Sequence, residues 1–244
     1  NQGGWFGQNT EGEYRSSPVQ TGTDTNWEKL WGIGGQRLAA KKTDGTWWVW
    51  GANDAGQLGL NGANTDRSSP IQLTWASGDE IVSLAGNDSA VIATKSDGTS
   101  WGWGLNVSYN IGNNSTTNRS SPVQIGTASN WAMASMGSFG GIALTTTGEA
   151  WSWGQNTYGQ LGQNSRGPSN IFSSPKQVPG TTWSTSVAAE QATLAIKTDG
   201  TLWGWGVGSY AGLGPTNYSS PVQVGSDSDW HFVDGWGGDG VFAL

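Results

Sequence analysis

Short apolar runs alternate with small polar turns along the whole chain, on a repeat of about fifty residues. In one stretch, 89–95 reads SAVIATK, a Ser-Asp-Gly-Thr turn follows, and 100–104 reads SWGWG. Apolar runs flanking an Asp-Gly pair predict a β-hairpin, because Asp-Gly accommodates the positive φ angles of a tight turn. The same hairpin is written as KKTDGTWWVWG at 41–51, TTTGEAWSWG at 145–154 and KTDGTLWGWG at 197–206. An upstream run such as IVSLAG at 81–86 adds a strand before the hairpin, and PVQIG or PVQVG after an SSP tripeptide adds one after it. Each copy is therefore expected to form an antiparallel sheet of about four strands.

The prolines of the SSP tripeptides, Pro18, Pro70, Pro122, Pro175 and Pro221, are spaced by 52, 52, 53 and 46 residues, which makes five copies. Such a period marks a solenoid or a propeller built from one supersecondary unit. In W-x-W-G the two tryptophans stand two apart, so on a strand they share a face and press against the next sheet. Trp48/Trp50, Trp101/Trp103, Trp151/Trp153 and Trp203/Trp205 are the expected blade-packing residues. At the ends, VFAL (241–244) matches TLAI (193–196), and NQGGWFGQN (1–9) aligns with GTLWGWGVG (200–208). This complementarity predicts that the N- and C-terminal strands pair to complete a shared sheet. The expected architecture is all-β: a five-bladed β-propeller with its ring closed, residues 1–244 forming a single domain.

The combination of N-x-x-G-Q-L-G at 53–59 and 156–162, SSPVQ at 16–20, 120–124 and 219–223, and KTDGTLWGWG resembles the RCC1-like repeat, the propeller repeat of the regulator of chromosome condensation. Members typically have seven blades, so five is a departure. The family includes a guanine-nucleotide exchange factor, a plant ultraviolet photoreceptor, a β-lactamase inhibitor and bacterial or phage surface proteins, so the resemblance implies a fold and leaves function open. Many copies in the family place a His before the L-A-L strand; here the aligned positions hold Gln36, Ala90, Gly140 and Gly240. No G-W-R-H-T-like string, which the photoreceptor reading requires, occurs in the chain.

Composition narrows the partners. Forty glycines would suggest disorder if they lacked order, but seventeen tryptophans at regular positions imply a packed interior. No apolar run reaches the length of a membrane span, and no membrane insertion is expected. A net charge of −7 with only 11 Lys and Arg argues against a nucleic-acid partner, since phosphate binding works by cation-driven counterion release. Cysteine is absent, which removes disulfides, thiol catalysis and thiolate metal sites. Asn1 stands first and no signal-peptide pattern follows it, so the chain reads as a processed product or a piece of a longer polypeptide.

Candidate chemistry is sparse. The one histidine, His231, has no second His or Cys with which to hold a metal or activate a nucleophile. Asp79, Glu80, Asp88, Glu190 and Asp239 could be paired only by the fold, while Asp44, Asp97 and Asp199 are turn residues. No catalytic residue, metal or cofactor is expected, and the chain reads as no enzyme. Function is expected where the copies disagree: Trp31, Trp75 and Trp236, and Tyr109, Tyr158 and Tyr210 in the loops after W-x-W-G. NSRGPSNIF (164–172) reads as an insertion, and Arg37, Arg67, Arg119 and Arg166 as solvated. Exposed aromatics among small polar residues suit a protein partner or a surface glycan. The leading expectation is a non-enzymatic binding or display module, extracellular or on a virion as part of a tail fibre or surface assembly. The alternatives are a carbohydrate-binding lectin and an exchange-factor-like regulator.

Overall fold

A computed structural model describes residues 6–9, 16–74, 80–188, 191–235 and 241–244. The first blade contains β1 (Trp27–Gly32), β2 (Arg37–Lys42), β3 (Trp47–Gly51) and β4 (Arg67–Leu73), and the second β5 (Ile81–Gly86), β6 (Ala90–Lys95), β7 (Ser100–Gly104) and β8 (Arg119–Gln124). The third contains β9 (Trp131–Gly137), β10 (Gly140–Thr145), β11 (Ala150–Gln155) and β12 (Ile171–Gln177). The fourth contains β13 (Trp183–Ala188), β14 (Ala192–Lys197), β15 (Leu202–Gly206) and β16 (Tyr218–Gln223), and β17 (Val233–Gly235) and β18 (Val241–Ala243) follow. Each blade is an antiparallel meander in chain order.

The hairpins form where the sequence places them. At Asp97-Gly98, Gly98 takes φ +79°, and its missing Cβ would fall 2.2 Å from the carbonyl oxygen of Ser129, so a side chain fits neither the turn nor its neighbour. Asp44, Asp97 and Asp199 each accept hydrogen bonds from the backbone N–H and the hydroxyl of the threonine two residues on, at 2.6–3.0 Å. Those threonines in turn accept from the indole N–H of Trp48, Trp101 and Trp203. Lys42, Lys95 and Lys197 lie 3.8, 5.0 and 4.0 Å from the same three ring centroids, within cation–π range. The third blade has Thr145, Thr147 and Glu149 at these places, and there the indole nitrogen of Trp151 is buried without a partner.

The threonine hydrogen bonds hold all three aspartate carboxyls below their ordinary value. A carboxyl depressed in the folded state adds stability above its unfolded value, and that stability is lost as pH falls through the folded value. Chemical denaturation midpoints are therefore expected to drop as pH is lowered below about 4. An Asp97→Asn/Asp199→Asn double variant should flatten that slope; an unchanged slope would show that the turns do not contribute to it.

Packing follows the repeat. Each blade shares an apolar layer with the next, the first formed by Ile33, Ala39, Trp47, Val49 and Leu58 against Val91, Ala93 and Trp103. The following layers centre on Trp153, on Trp205, and on Val187, Leu194 and Leu202 against Val233. In each W-x-W pair the second tryptophan is the buried one: Trp50, Trp103, Trp153 and Trp205 are at most 2% exposed, whereas Trp48, Trp101, Trp151 and Trp203 are half-buried. First strands of successive blades adjoin, so they form the inner edge of the array and the SSP strands its rim.

Blade count and closure correct the sequence expectation. Among the described residues there are four complete blades, not five, followed by the two-stranded sheet β17–β18, and no strand joins the two ends into a ring. The reason is visible in the repeat itself, for SSP is written five times but W-x-W-G only four. The segment Ser16–Gln20 is exposed and outside any strand, since a fourth strand needs a third to pair with. The alignment of 1–9 with 200–208 is corrected as well. Asn9 donates its backbone N–H to the Ser68 carbonyl, as Asn61, Asn114 and Asn164 do to Ser120, Ser173 and Ser219 at 2.7–2.8 Å. FGQN at 6–9 thus stands where LGQN stands at 161–164, in the loop after the third strand; residues 1–5 lie outside the described residues.

Candidate functional site

The loops after the third strands are built around a buried asparagine. Asn106 is fully buried; its Oδ1 accepts from the Ile111 N–H at 2.9 Å, and its Nδ2 donates toward the Ser115 carbonyl and the Asn113 side chain at 2.7 and 2.9 Å. Asn53 and Asn156 hold their loops in the same way, accepting from Leu58 and Leu161. The motif was legible as N-x-x-G-Q-L-G, yet its role as the hydrogen-bond hub of each loop was not. In the fourth blade Gly208 takes the place of the hub residue in a shorter loop. The same loops carry the interblade connection, because each ends on an asparagine in the left-handed region (Asn61, Asn114 and Asn164 at φ +50, +57 and +56°) whose N–H crosses to the next SSP serine.

Within this scaffold the second copy departs from the others. Gly56 and Gly159 adopt φ +82° and +90°, and a Cβ on either would meet neighbouring backbone at 2.6–2.7 Å. Tyr109 occupies the corresponding place at φ +59°, with the same turn hydrogen bonds from Tyr109 N to Asn106 O and from Gly112 N to Tyr109 O. Holding a bulky residue there costs about 1–2 kcal/mol, which the surrounding loop must offset. Beside it Val107 is 60% exposed. Gln155 reaches across with its Nε2 to the Ser108 Oγ at 3.0 Å, and the backbone of Gln155 pairs with Ile171, itself 40% exposed. Val107 and Tyr109 of one blade are thereby joined to the edge where Ile171 and Phe172 begin β12, with Lys176 Nζ 4.4 Å over the Phe172 ring.

The other expected site residues are scattered. Trp31 is half-buried, its ring 4.7 Å from that of Trp47 and 4.7 Å from Lys29 Nζ, and it packs on the layer between the first two blades. Tyr158 is half-buried with its N–H bonded to Gln160, and Tyr210 packs on the layer between the fourth blade and β17. Trp75 and Trp236 lie outside the described residues, as do Asp79, Glu190 and Asp239. His231 is exposed, and among the described residues no three His, Asp or Glu side chains gather as a metal site would need.

Glu80 is bound to Lys41, whose ammonium also lies 3.7 Å from Glu28, an ion-pair network linking the inner strands of the first two blades. Arg37 corrects the expectation of a solvated side chain. It is 5% exposed and donates to the Asn87 carbonyl at 2.7 Å; Asn87 in turn donates to Gly137, so one chain of bonds ties three blades. Burial pulls the Arg37 guanidinium below its ordinary value, opposed by Asp88, Asp54 and Asp66. Arg166 is exposed and donates to the Asn217 carbonyl.

Comparison with known proteins places this geometry. The profile of the regulator of chromosome condensation (RCC1) repeat matches residues 44–93 and 147–194. The ultraviolet-B receptor UVR8 of Arabidopsis thaliana is 33% identical over 168 residues, covering 68% of this chain and 38% of the receptor. The chain therefore spans less than two-fifths of that relative's length. Among solved structures, human WBSCR16 superposes with a TM-score of 0.74 at 20% identity, covering 88% of this chain and 57% of the other. Yeast RCC1 (Prp20), solved bound to Kap60, superposes with a TM-score of 0.72 at 19% identity, covering 86% and 52%. Matching profile, shared loop and strand motifs, and common blade geometry agree, and the chain belongs to the RCC1-like repeat propeller family.

Proposed function

We propose that this chain is a non-enzymatic binding module that engages a protein partner through the patch formed by Val107, Tyr109 and Ile171. The observation that carries this reading is Tyr109: an aromatic side chain held where its sister loops use glycine, between two exposed aliphatic residues. Tyrosine supplies contact area at low entropic cost, and aliphatic neighbours give a patch an apolar centre. Support also comes from the yeast relative, which was solved with a protein bound. The cysteine-free surface rich in Ser, Thr, Asn and Gly suits an extracellular or virion setting, tested by looking for the chain in purified particles.

The patch is tested by affinity purification from the native source with quantitative mass spectrometry, comparing the wild type with Val107→Asp and Ile171→Asp. A partner engaged there should be recovered at least tenfold less with each variant while the thermal midpoint holds. Equal recovery from all three proteins would refute the assignment.

A further inference from the structure

A groove of about 380 Å³ opens between the first two blades, lined by Leu60, Asn61, Thr74, Trp101, Ser121 and Pro122. Its volume lies in the range that holds small ligands. Trp101 is half-buried, unlike the fully buried Trp103 two residues on. Its indole N–H is already taken by Thr99 Oγ1 at 2.8 Å, so what it offers the groove is apolar ring surface and no donor. Asn61 is fixed by its left-handed backbone and its N–H bond to Ser120, which sets its side-chain amide at the groove. The hydroxyls of Thr74 and Ser121 add groups that both donate and accept.

None of these residues is charged, which selects for a neutral ligand. An aromatic surface with an amide and two hydroxyls at its border is the chemistry that recognises a pyranose. The electron-rich ring faces the sugar's C–H groups, and the polar side chains exchange hydrogen bonds with its hydroxyls. A proline-rich peptide requires an aromatic-lined groove, whereas a single aromatic lines this one. Leu60 also sets this junction apart, since Asn113 and Gln163 stand at the same place in the next two copies.

We propose that this groove binds one neutral pyranose residue of a glycan, stacked on Trp101 and hydrogen-bonded by Asn61, Thr74 and Ser121. It is separate from the Val107–Tyr109–Ile171 patch, so either assignment can fail while the other stands.

The test is a screen of the whole chain on an array of neutral glycans, followed by calorimetric titration with the free oligosaccharide that binds best. At least one hexose-containing neutral glycan should bind. Leu60→Arg and Thr74→Val should each weaken it fivefold or more with an unchanged thermal midpoint, while Trp203→Phe, at the equivalent place in the fourth blade, leaves it intact. No array signal, binding that survives both groove variants, or displacement of the glycan by a proline-rich peptide would overturn the proposal.

Discussion

Trp153→Ala should destabilise the chain by about 4 kcal/mol, lowering the thermal midpoint by roughly 12 °C in calorimetry. Trp153 is fully buried in the layer between the second and third blades, and its indole N–H donates to the Asn110 carbonyl at 2.9 Å. The site is also shaped around it. A Cβ at Gly112 would fall 2.6 Å from its ring, and one at Gly141 2.5 Å, so the indole fits only because both flanking positions are glycine. Truncation leaves a cavity that these glycines cannot fill and a buried carbonyl with no donor. Trp151→Ala is the contrasting case: half-buried, with no partner for its indole nitrogen, it should cost less than half as much. Equal losses at the two positions would contradict the division of labour between the first and second tryptophan of each pair.

Asn106→Ala is expected to cost about 3 kcal/mol, read from denaturant unfolding, because it strands several polar groups at once. The Ile111 N–H loses its only side-chain acceptor, and the Ser115 carbonyl and Asn113 amide lose their donor. Asn106→Asp separates geometry from hydrogen bonding. It keeps the acceptor and the shape but replaces two donors with a charge in a fully buried site, so it should destabilise at least as much as alanine. An aspartate variant as stable as the wild type would show that the donated bonds carry no weight. Because the loop bonded by Asn106 also presents Val107 and Tyr109, both variants should weaken partner binding more than their stability loss alone accounts for.

How much was legible depended on whether a property is local. The hairpins were, since Asp-Gly turns and flanking apolar runs act within ten residues, and Gly98 and Asp97 behave as their types demand. The tryptophan pairs were recognised as blade packing, but not that the first ring of each pair stays half-buried at the rim, because exposure depends on which residues the neighbouring blade brings. Short strings misled in one case: F-G-Q-N at 6–9 can be laid over W-G-V-G or over L-G-Q-N with similar ease, and only the bond from Asn9 to Ser68 across a blade boundary decides between them. Tyr109 was singled out correctly as a departure, yet its left-handed backbone became meaningful only beside the glycines of the sister loops. Arg37 looked like a surface cation because nothing nearby in sequence forecasts the Asn87 carbonyl fifty residues on.

The amino-acid sequence by itself determined the all-β class, the repeating four-stranded unit, the hairpin turns and the tryptophan-rich layers, since each follows from residue type and spacing along a single strand pair. The tertiary structure alone decided that four blades are complete and the ends unjoined, that Arg37 is buried, and that Leu60, Trp101 and Pro122 come together at one groove. These depend on contacts between segments about fifty residues apart, where the partner is chosen by how neighbouring blades meet.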